Sequence, residues 1–167
     1  MINRNSRIVK VVPTVIFKLC LRGENMLVST RGRYALRVMV DLAEHYSDKY
    51  IPMKDVAKRQ GLSLKYIEKI MPLLTKGKLV YGIHGKGGGY RLSKSPADYN
   101  VCEILELTEG SLAPVACIGN GAEPCGYASQ CKTLPMWNEF HKMAKDYFSS
   151  ISLTDLMKNE TQNDYSI

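Results

Sequence analysis

Apolar residues first recur at helical spacing over residues 30–47, from Tyr34 to Tyr46. An amphipathic helix shows this spacing because every third or fourth side chain lies on the same face. Ser29 or Thr30, at the start of the stretch, offers a hydroxyl of the kind that caps helix starts. The pattern therefore predicts a first helix over about residues 30–47.

Two shorter helical stretches follow and are separated by only three residues. The first is predicted over residues 53–60, with Gly61 as a typical helix end. The second is predicted over about residues 64–76, where Ser63 is expected to cap the start and Pro72 to kink or shorten the helix. Two short helices joined in this way are typical of a helix-turn-helix, whose second helix enters the major groove of DNA.

Two short apolar runs, residues 79–83 and 90–92, flank a glycine-rich stretch at 84–89. This arrangement predicts a β-hairpin, and a hairpin after a helix-turn-helix makes a winged helix. The glycines would let the tip approach a DNA backbone or enter a minor groove. The alternatives are an ordinary turn and a phosphate-binding loop. The second is disfavoured because glycine, not serine or threonine, follows Lys86.

The pattern changes again in the C-terminal part of the chain. A fourth helix is predicted around residues 101–107, with Cys102 as a small core residue. Residues 109–132 show little periodicity and predict a loop long enough to be functional. A strong apolar stripe then predicts a long helix over about 134–150, and a final helical turn follows at 152–156.

A long amphipathic helix after a compact domain is often a dimerisation element, although the pattern fits a helix packed on its own core equally well. The fold class predicted from all these stretches is mainly α: a winged helix-turn-helix with a small β-hairpin wing and a long C-terminal dimerisation helix. The residues expected at the dimer interface are Trp137, Phe140, Ala144, Tyr147 and Phe148.

The charge of the chain is divided between its two halves. Residues 26–95 contain 14 Lys and Arg against 5 Asp and Glu, whereas residues 96–167 contain 4 against 10. A compact basic segment is the electrostatic footprint of nucleic-acid binding. The predicted DNA contacts are Ser63, Lys65, Tyr66, Glu68 and Lys69 in the helix-turn-helix, His84, Lys86 and Arg91 in the hairpin, and Arg31 and Arg33 at the start of the first helix.

Five segments are expected along the chain. Residues 26–95 form the DNA-binding domain, 96–132 the fourth helix and a cysteine-rich sensor loop, and 133–158 the dimerisation helix with its terminal turn. Residues 1–25 are expected to be a disordered or misannotated extension, because the structured pattern starts at the following methionine. Residues 159–167 are polar and expected to be a disordered tail.

Three of the five cysteines, Cys117, Cys125 and Cys131, lie within fifteen residues of one another in the predicted loop. Thiols this close are typical of a metal or cluster site. No convincing secretion signal and no apolar run long enough for a bilayer are visible, so a cytoplasmic protein with reduced thiols and no membrane partner is expected. Zinc, another soft metal and reversible thiol oxidation remain open as inputs.

At this point several stretches together match a known pattern. STRGRYALRVMVDLAEHY, KDVAKRQGLSLKYIEKIMPLLTKGKLV, GKGGGYRL, the three-cysteine loop and SLTDL resemble the IscR type of the Rrf2 superfamily of bacterial winged-helix regulators. The resemblance covers about residues 26–157. It implies a homodimer that binds a palindromic site in double-stranded DNA and represses transcription. It also implies an iron–sulfur cluster on the three cysteines, with 2Fe-2S favoured and 4Fe-4S as the alternative.

The chain departs from the family pattern at two places. The histidine that serves as fourth cluster ligand in the typical regulator is replaced by Leu134, and the acidic ligand of nitric-oxide-sensing relatives by Arg33. A carboxylate or hydroxyl such as Glu123 or Ser129, a partner's carboxylate, water and an exogenous thiol remain open. His141 is disfavoured because it lies about ten residues after Cys131, on the face of a predicted helix. His84 occupies the position of the family's wing arginine, so we expect DNA binding to rely more on Lys86, Arg91 and the second helix of the helix-turn-helix.

No motif of a known reaction is present in the sequence. The three histidines, His45, His84 and His141, have no paired nucleophile, and the chain has no CxxC, HExxH or GxSxG. The sequence therefore predicts a regulator that is not an enzyme. A dimerisation or adaptor module without DNA binding is the remaining alternative.

Overall fold

The computed structural model describes residues 28–123 and 125–158, and the segments 1–25 and 159–167 lie outside the described residues. Within these ranges the chain forms six α-helices and one antiparallel sheet of two strands. The helices are α1 (Thr30–Glu44), α2 (Met53–Gln60), α3 (Leu64–Lys76), α4 (Val101–Glu109), α5 (Leu134–Ser149) and α6 (Leu153–Lys158), and the strands are β1 (Val80–Ile83) and β2 (Gly89–Leu92).

Helix α1 is the centre of the core. Its residues Val38, Met39 and Leu42 are buried, and α2, α3, α4, α6 and β2 all contact this helix. Ser29 caps its start, as predicted, by accepting hydrogen bonds from two backbone N–H groups. The predicted end near residue 47 is wrong, because His45 is the C-cap and the N–H of Tyr46 bonds to the carbonyl of Ala43, three residues back, which breaks the helical i→i−4 series after Glu44.

The helix-turn-helix follows the prediction closely. Helices α2 and α3 have the predicted bounds, and Gly61 ends α2 in the left-handed conformation, with φ 60°. Pro72 is exposed and does not shorten α3, which continues to Lys76. The expected capping by Ser63 is wrong for its side chain, since only its carbonyl accepts from the following turn and its hydroxyl makes no capping bond.

The hairpin predicted after α3 is confirmed. Strands β1 and β2 pair antiparallel, with Val80 opposite Leu92 and Ile83 opposite Gly89. Ile51, between α1 and α2, extends the sheet by exchanging two backbone hydrogen bonds with Tyr90, of 2.8 and 2.9 Å. The base of the wing is therefore fixed to the helix-turn-helix.

The C-terminal part has two kinds of environment. Cys102 is buried in α4, as predicted, and Leu153 of α6 is buried against the core. In contrast, α5 has no fully buried residue, so the described chain does not pack this helix into its own core as the alternative interpretation required. None of the helices in the described ranges combines the length and the apolar character that a membrane crossing needs.

Candidate DNA-binding surface and cysteine site

The start of α3 presents polar side chains to solvent. Ser63, Lys65, Glu68 and Lys69 are exposed, while Ile67 and Ile70 hold the opposite face in the core. A helix held in this way can place its outer face in a major groove, where lysine contacts phosphates or guanine edges. The structure therefore brings four of the predicted helix-turn-helix contacts onto one accessible surface.

Tyr66 differs from its neighbours on α3. It is half-buried, and its ring packs edge-to-face against Tyr34 of α1 with centroids 5.2 Å apart. The guanidinium of Arg37 lies over the Tyr34 ring, 5.7 Å from its centroid. The aromatic pair joins α3 to α1, so Tyr66 positions the recognition helix whether or not its hydroxyl contacts DNA.

Two predicted backbone contacts lie in the first turn of α1. Arg31 and Arg33 are both exposed, and the Arg33 guanidinium donates a 3.1 Å hydrogen bond to the hydroxyl of Thr30. Cations at a helix start are unfavourable for the helix dipole, so these two arginines do not stabilise α1 through it. The position suits contacts to DNA phosphates.

The three residues of the wing that are predicted to contact DNA lie in two different places. His84 and Lys86 are exposed at the tip, where Gly85 has a φ of 96°. Arg91 is half-buried near the base, with its guanidinium against the rings of Tyr50 (5.3 Å) and Tyr81 (5.5 Å). The tip therefore offers Lys86 as an extended cation, whereas aromatic contacts hold Arg91.

A buried ion pair between α1 and α2 is the main feature that the sequence interpretation missed. Asp41 is 1% exposed, and its carboxylate accepts hydrogen bonds from Arg59, at 2.5 to 3.2 Å, and from the amide of Gln60 at 3.1 Å. The guanidinium of Arg37 in turn donates to both oxygens of Gln60. The sequence does contain a signal of this ion pair, because Asp41 is a charged residue three positions after Val38, on the apolar face of α1.

In the part of the chain that the structure describes, one group of three side chains of metal-binding type has its possible ligand atoms within 4.8 Å of one another. This group overlaps the Asp41 network. The group consists of Asp41, Glu44 and His45. Because Arg59 and Gln60 already hold the carboxylate of Asp41, we assign the group to helix packing and not to metal binding. The network lies directly before Gly61 and so fixes the geometry of the helix-turn-helix.

The three cysteines lie in the loop between α4 and α5, near two 3₁₀ turns, Ala116–Ile118 and Ala128–Gln130. Cys117 and Cys125 are exposed and Cys131 is half-buried. Their sulfur atoms are not all within 4.8 Å of one another in the described loop, as one ion bound to all three would require. Accessible thiols on a loop suit an iron–sulfur cluster in their donor chemistry, because such clusters are held by cysteine thiolates.

Cys131 differs from the other two in its local hydrogen bonds. The hydroxyl of Thr133 lies 3.4 Å from its sulfur. This contact, together with backbone N–H groups of Thr133 and Leu134, lowers the pKa of the Cys131 thiol. A thiol with a lowered pKa is a better nucleophile and metal ligand at neutral pH, because the thiolate is the reactive form.

The candidates for a fourth ligand fall in different environments. Glu123 and Ser129 are exposed on the cysteine loop, and Leu134, which replaces the family histidine, is half-buried at the start of α5. The ring Nε2 of His141 is buried and has no hydrogen-bond partner among the described residues. Glu123 and Ser129 share the loop with the cysteines and remain candidates.

A groove of about 770 Å³ separates α5 from the first part of the cysteine loop. Four of the five residues predicted for the dimer interface line it, and the fifth, Trp137, is half-buried elsewhere on α5. Tyr147 is 64% exposed, and its ring lies 5.6 Å from that of Phe148. The four groove residues are Phe140, Ala144, Tyr147 and Phe148.

The winged helix, the exposed recognition helix and the basic surface define the class of the protein as a DNA-binding transcriptional regulator. The chain belongs to the Rrf2 family, whose model, described as iron-dependent transcriptional regulator, matches residues 28–159. A relative named HTH-type transcriptional regulator IscR, from Photorhabdus laumondii, is 34% identical over 135 residues, which cover 81% of each chain. The name of this relative agrees with the prediction that the chain is not an enzyme.

Two solved structures extend the comparison to the fold. IscR of T. potens is 28% identical, with a TM-score of 0.63, over 84% of this chain and 93% of that chain. CymR, titled the global cysteine regulator of B. subtilis, is 29% identical, with a TM-score of 0.62, over 77% and 94%. These similarities confirm the predicted winged-helix fold and the IscR-type resemblance.

Proposed function

We propose that this regulator is a repressor whose affinity for a palindromic operator depends on an iron–sulfur cluster held by Cys117, Cys125 and Cys131. The observation that supports it most is the presence of three accessible thiols on one loop beside the winged helix of an Rrf2 chain. The cysteines belong to the acidic half of the chain, away from the basic DNA-binding segment. Binding of DNA and binding of a cluster therefore use separate residues.

The DNA is bound by two copies of the chain, each with α3 in a major groove and its wing tip over the adjacent backbone. Lys65, Lys69 and Lys86 supply the cations, and Glu68 accepts from cytosine. Arg31 and Arg33 add phosphate contacts. A dimer with about 6–10 phosphate contacts loses affinity by about 10³-fold or more between 50 and 200 mM salt.

The three thiols would hold the cluster as thiolates, and a residue such as Glu123 or Ser129, or a ligand from outside the chain, would complete the set. A bound cluster supplies sensitivity to oxidants, to nitric oxide and to the iron supply. The residues of the chain that respond are those of the loop and its neighbours. A response changes DNA affinity only if the two states of the loop bind DNA differently.

A second candidate keeps the DNA-binding regulator and replaces the cluster by another thiol-based input. One observation favours thiol oxidation, namely the lowered pKa of the Cys131 thiol. Zinc requires the three sulfurs to approach one another around one ion. In both forms of this candidate the DNA-binding surface is unchanged.

An anaerobic visible absorption spectrum of freshly purified protein, with iron and sulfide analysis, tests the proposal. We expect visible absorbance with equal amounts of iron and sulfide, lost when all three cysteines are replaced by alanine. A Cys102→Ala variant is the matched control and should keep the absorbance, because that thiol is buried in the core. A protein that stays colourless after anaerobic reconstitution would reject the cluster and favour zinc or thiol oxidation.

A further inference from the structure

Glu109 lies where α4 ends and the cysteine loop begins. Its carboxylate accepts a 2.8 Å hydrogen bond from the hydroxyl of Ser29, eighty positions away in the sequence. The same hydroxyl oxygen caps α1 by accepting from the backbone N–H groups of Arg31, at 3.1 Å, and Gly32, at 3.4 Å. One short chain of hydrogen bonds therefore joins the end of α4 to the first turn of α1.

The contact depends on a glycine. A β-carbon at Gly32 would lie 2.2 Å from the nearer Glu109 carboxylate oxygen and 2.9 Å from a methyl of Val28, both closer than real contacts. Helix α1 has no acidic residue in its own first turn. Glu109 thus supplies, from another helix, the negative charge that a helix start favours.

On its other side, Glu109 is next to a closed part of the cysteine loop. The side-chain amide of Asn120 donates a 3.3 Å hydrogen bond to the carbonyl of Gly110. This bond closes a segment of eleven residues, 110–120, that contains the turn of Cys117. This bond gives a rearrangement of that turn a route to Gly110 and to its neighbour Glu109.

We propose that Glu109 is a positioning residue that couples the state of the cysteine loop to the DNA-contacting start of α1. Rearrangement of the loop moves Glu109, which loosens or restores its bond to Ser29 and so changes the order of the turn that holds Arg31 and Arg33. The proposal rests on the proposed function for the role of the loop and of these arginines. It adds the contact through which one site affects the other.

The test compares DNA affinity with and without a cluster. The full-length protein is reconstituted anaerobically, and its Kd is measured for a duplex that the protein itself selects from a random library. In the wild type we expect the cluster to change Kd by at least about 5-fold. In Glu109→Ala the ratio should fall to within about 2-fold of unity, while the visible spectrum stays as in the wild type.

Three further variants separate coupling from general damage. Gly32→Ala displaces the Glu109 carboxylate from α1 but leaves Glu109 itself in the chain. It should therefore also reduce the ratio of Kd values with and without a cluster. Glu109→Gln keeps an acceptor for Ser29. The logarithm of its ratio of Kd values, with and without a cluster, should be more than half that of the wild type. Asp98→Asn removes one negative charge at an exposed position with no side-chain hydrogen bond among the described residues, and should match the wild type.

A second arm of the experiment needs no cluster. If Glu109 links the loop to the start of α1, binding of the duplex to cluster-free protein should also change the surroundings of Cys117, and with them the rate at which iodoacetamide alkylates this thiol. Glu109→Ala should abolish this change, measured by mass spectrometry of the Cys117 peptide. If the wild type takes up no cluster, the proposal of a cluster as the input is wrong, but the alkylation experiment still tests the role of Glu109. The proposed coupling is wrong if DNA does not change the alkylation rate of Cys117 in the wild type, or if DNA changes this rate equally in Glu109→Ala.

Discussion

Residues of one type acquire different roles from their surroundings. Cys102 is buried in α4, whereas Cys117 and Cys125 are exposed and Cys131 is hydrogen-bonded to Thr133. Burial makes a thiol inert, while exposure and donors to its sulfur make it reactive. The useful predictions at this scale therefore concern individual environments and not residue types.

The reactivity of Cys131 should depend on Thr133. Because hydrogen bonding lowers the pKa of Cys131, its thiolate persists to lower pH than that of an unassisted thiol. Thr133→Val raises this pKa, so alkylation of Cys131 by iodoacetamide at neutral pH becomes slower and its pH midpoint moves upward. Ser129→Ala, which removes another loop hydroxyl, is the control and leaves the midpoint in place. An unchanged midpoint in Thr133→Val would contradict the assignment.

At the wing, Lys86 should matter more than His84. Both are exposed at the tip, but the lysine amine lies at the end of a longer, flexible stem that can reach a phosphate. Lys86→Ala should weaken DNA binding about 5- to 10-fold and reduce the slope of log Kd against log salt by about 1. His84→Ala should have a smaller effect, and Lys142→Ala, exposed on α5, none. Loss of binding in His84→Ala with no effect of Lys86→Ala would reverse this assignment.

At the scale of elements, local signals explain what the sequence predicts well. The bounds of α2 and α3 follow from Gly61 and from the apolar spacing, both of which act within a few residues. The predicted end of α1 is wrong because the backbone bond of Tyr46 goes to Ala43, three residues back, and apolar periodicity does not show such a change. Contacts between residues far apart in sequence, such as Asp41 with Arg59, leave no periodic trace.

The Asp41–Arg59 pair should contribute to stability. Asp41→Asn puts a neutral amide at the buried end of the pair and leaves the half-buried Arg59 without its charged partner, so the free energy of unfolding should fall by about 1–3 kcal/mol. The loss is at the low end for a buried pair because the Arg59 side chain is 35% exposed. Urea unfolding measures the difference, with Asp48→Asn as an exposed control that changes little. A fall no larger than that of the control would show that the network does not stabilise the fold.

At the scale of the whole molecule, the two halves of the chain differ in how much of their apolar surface the chain itself buries. The winged helix has a continuous buried core, whereas α5 places no residue out of solvent in the described chain. Met136, Met143 and Tyr147 of α5 are all more than half exposed. Contiguous apolar exposure on this scale marks an interaction surface. Sequence periodicity revealed the stripe on α5 but could not show what covers it, because a self-packed helix has the same pattern.

We predict that α5 covers its stripe with a second copy of the chain. Phe148→Asp puts a charge into the groove face of α5, so sedimentation velocity should show the wild type as a dimer and this variant as a monomer. Asn138→Asp adds the same charge at an exposed position of α5 outside the groove and should leave the dimer intact.

The same two variants show whether dimerisation matters for DNA. Two linked recognition helices bind a palindrome more tightly than one by about 10²- to 10⁴-fold, because the second contact becomes intramolecular. Phe148→Asp should therefore lose most of its affinity for a palindromic duplex and almost none for a single half-site. A monomeric Phe148→Asp protein with unchanged affinity for the palindrome would mean that each winged helix binds independently, and that the basic surface of one chain is sufficient for recognition.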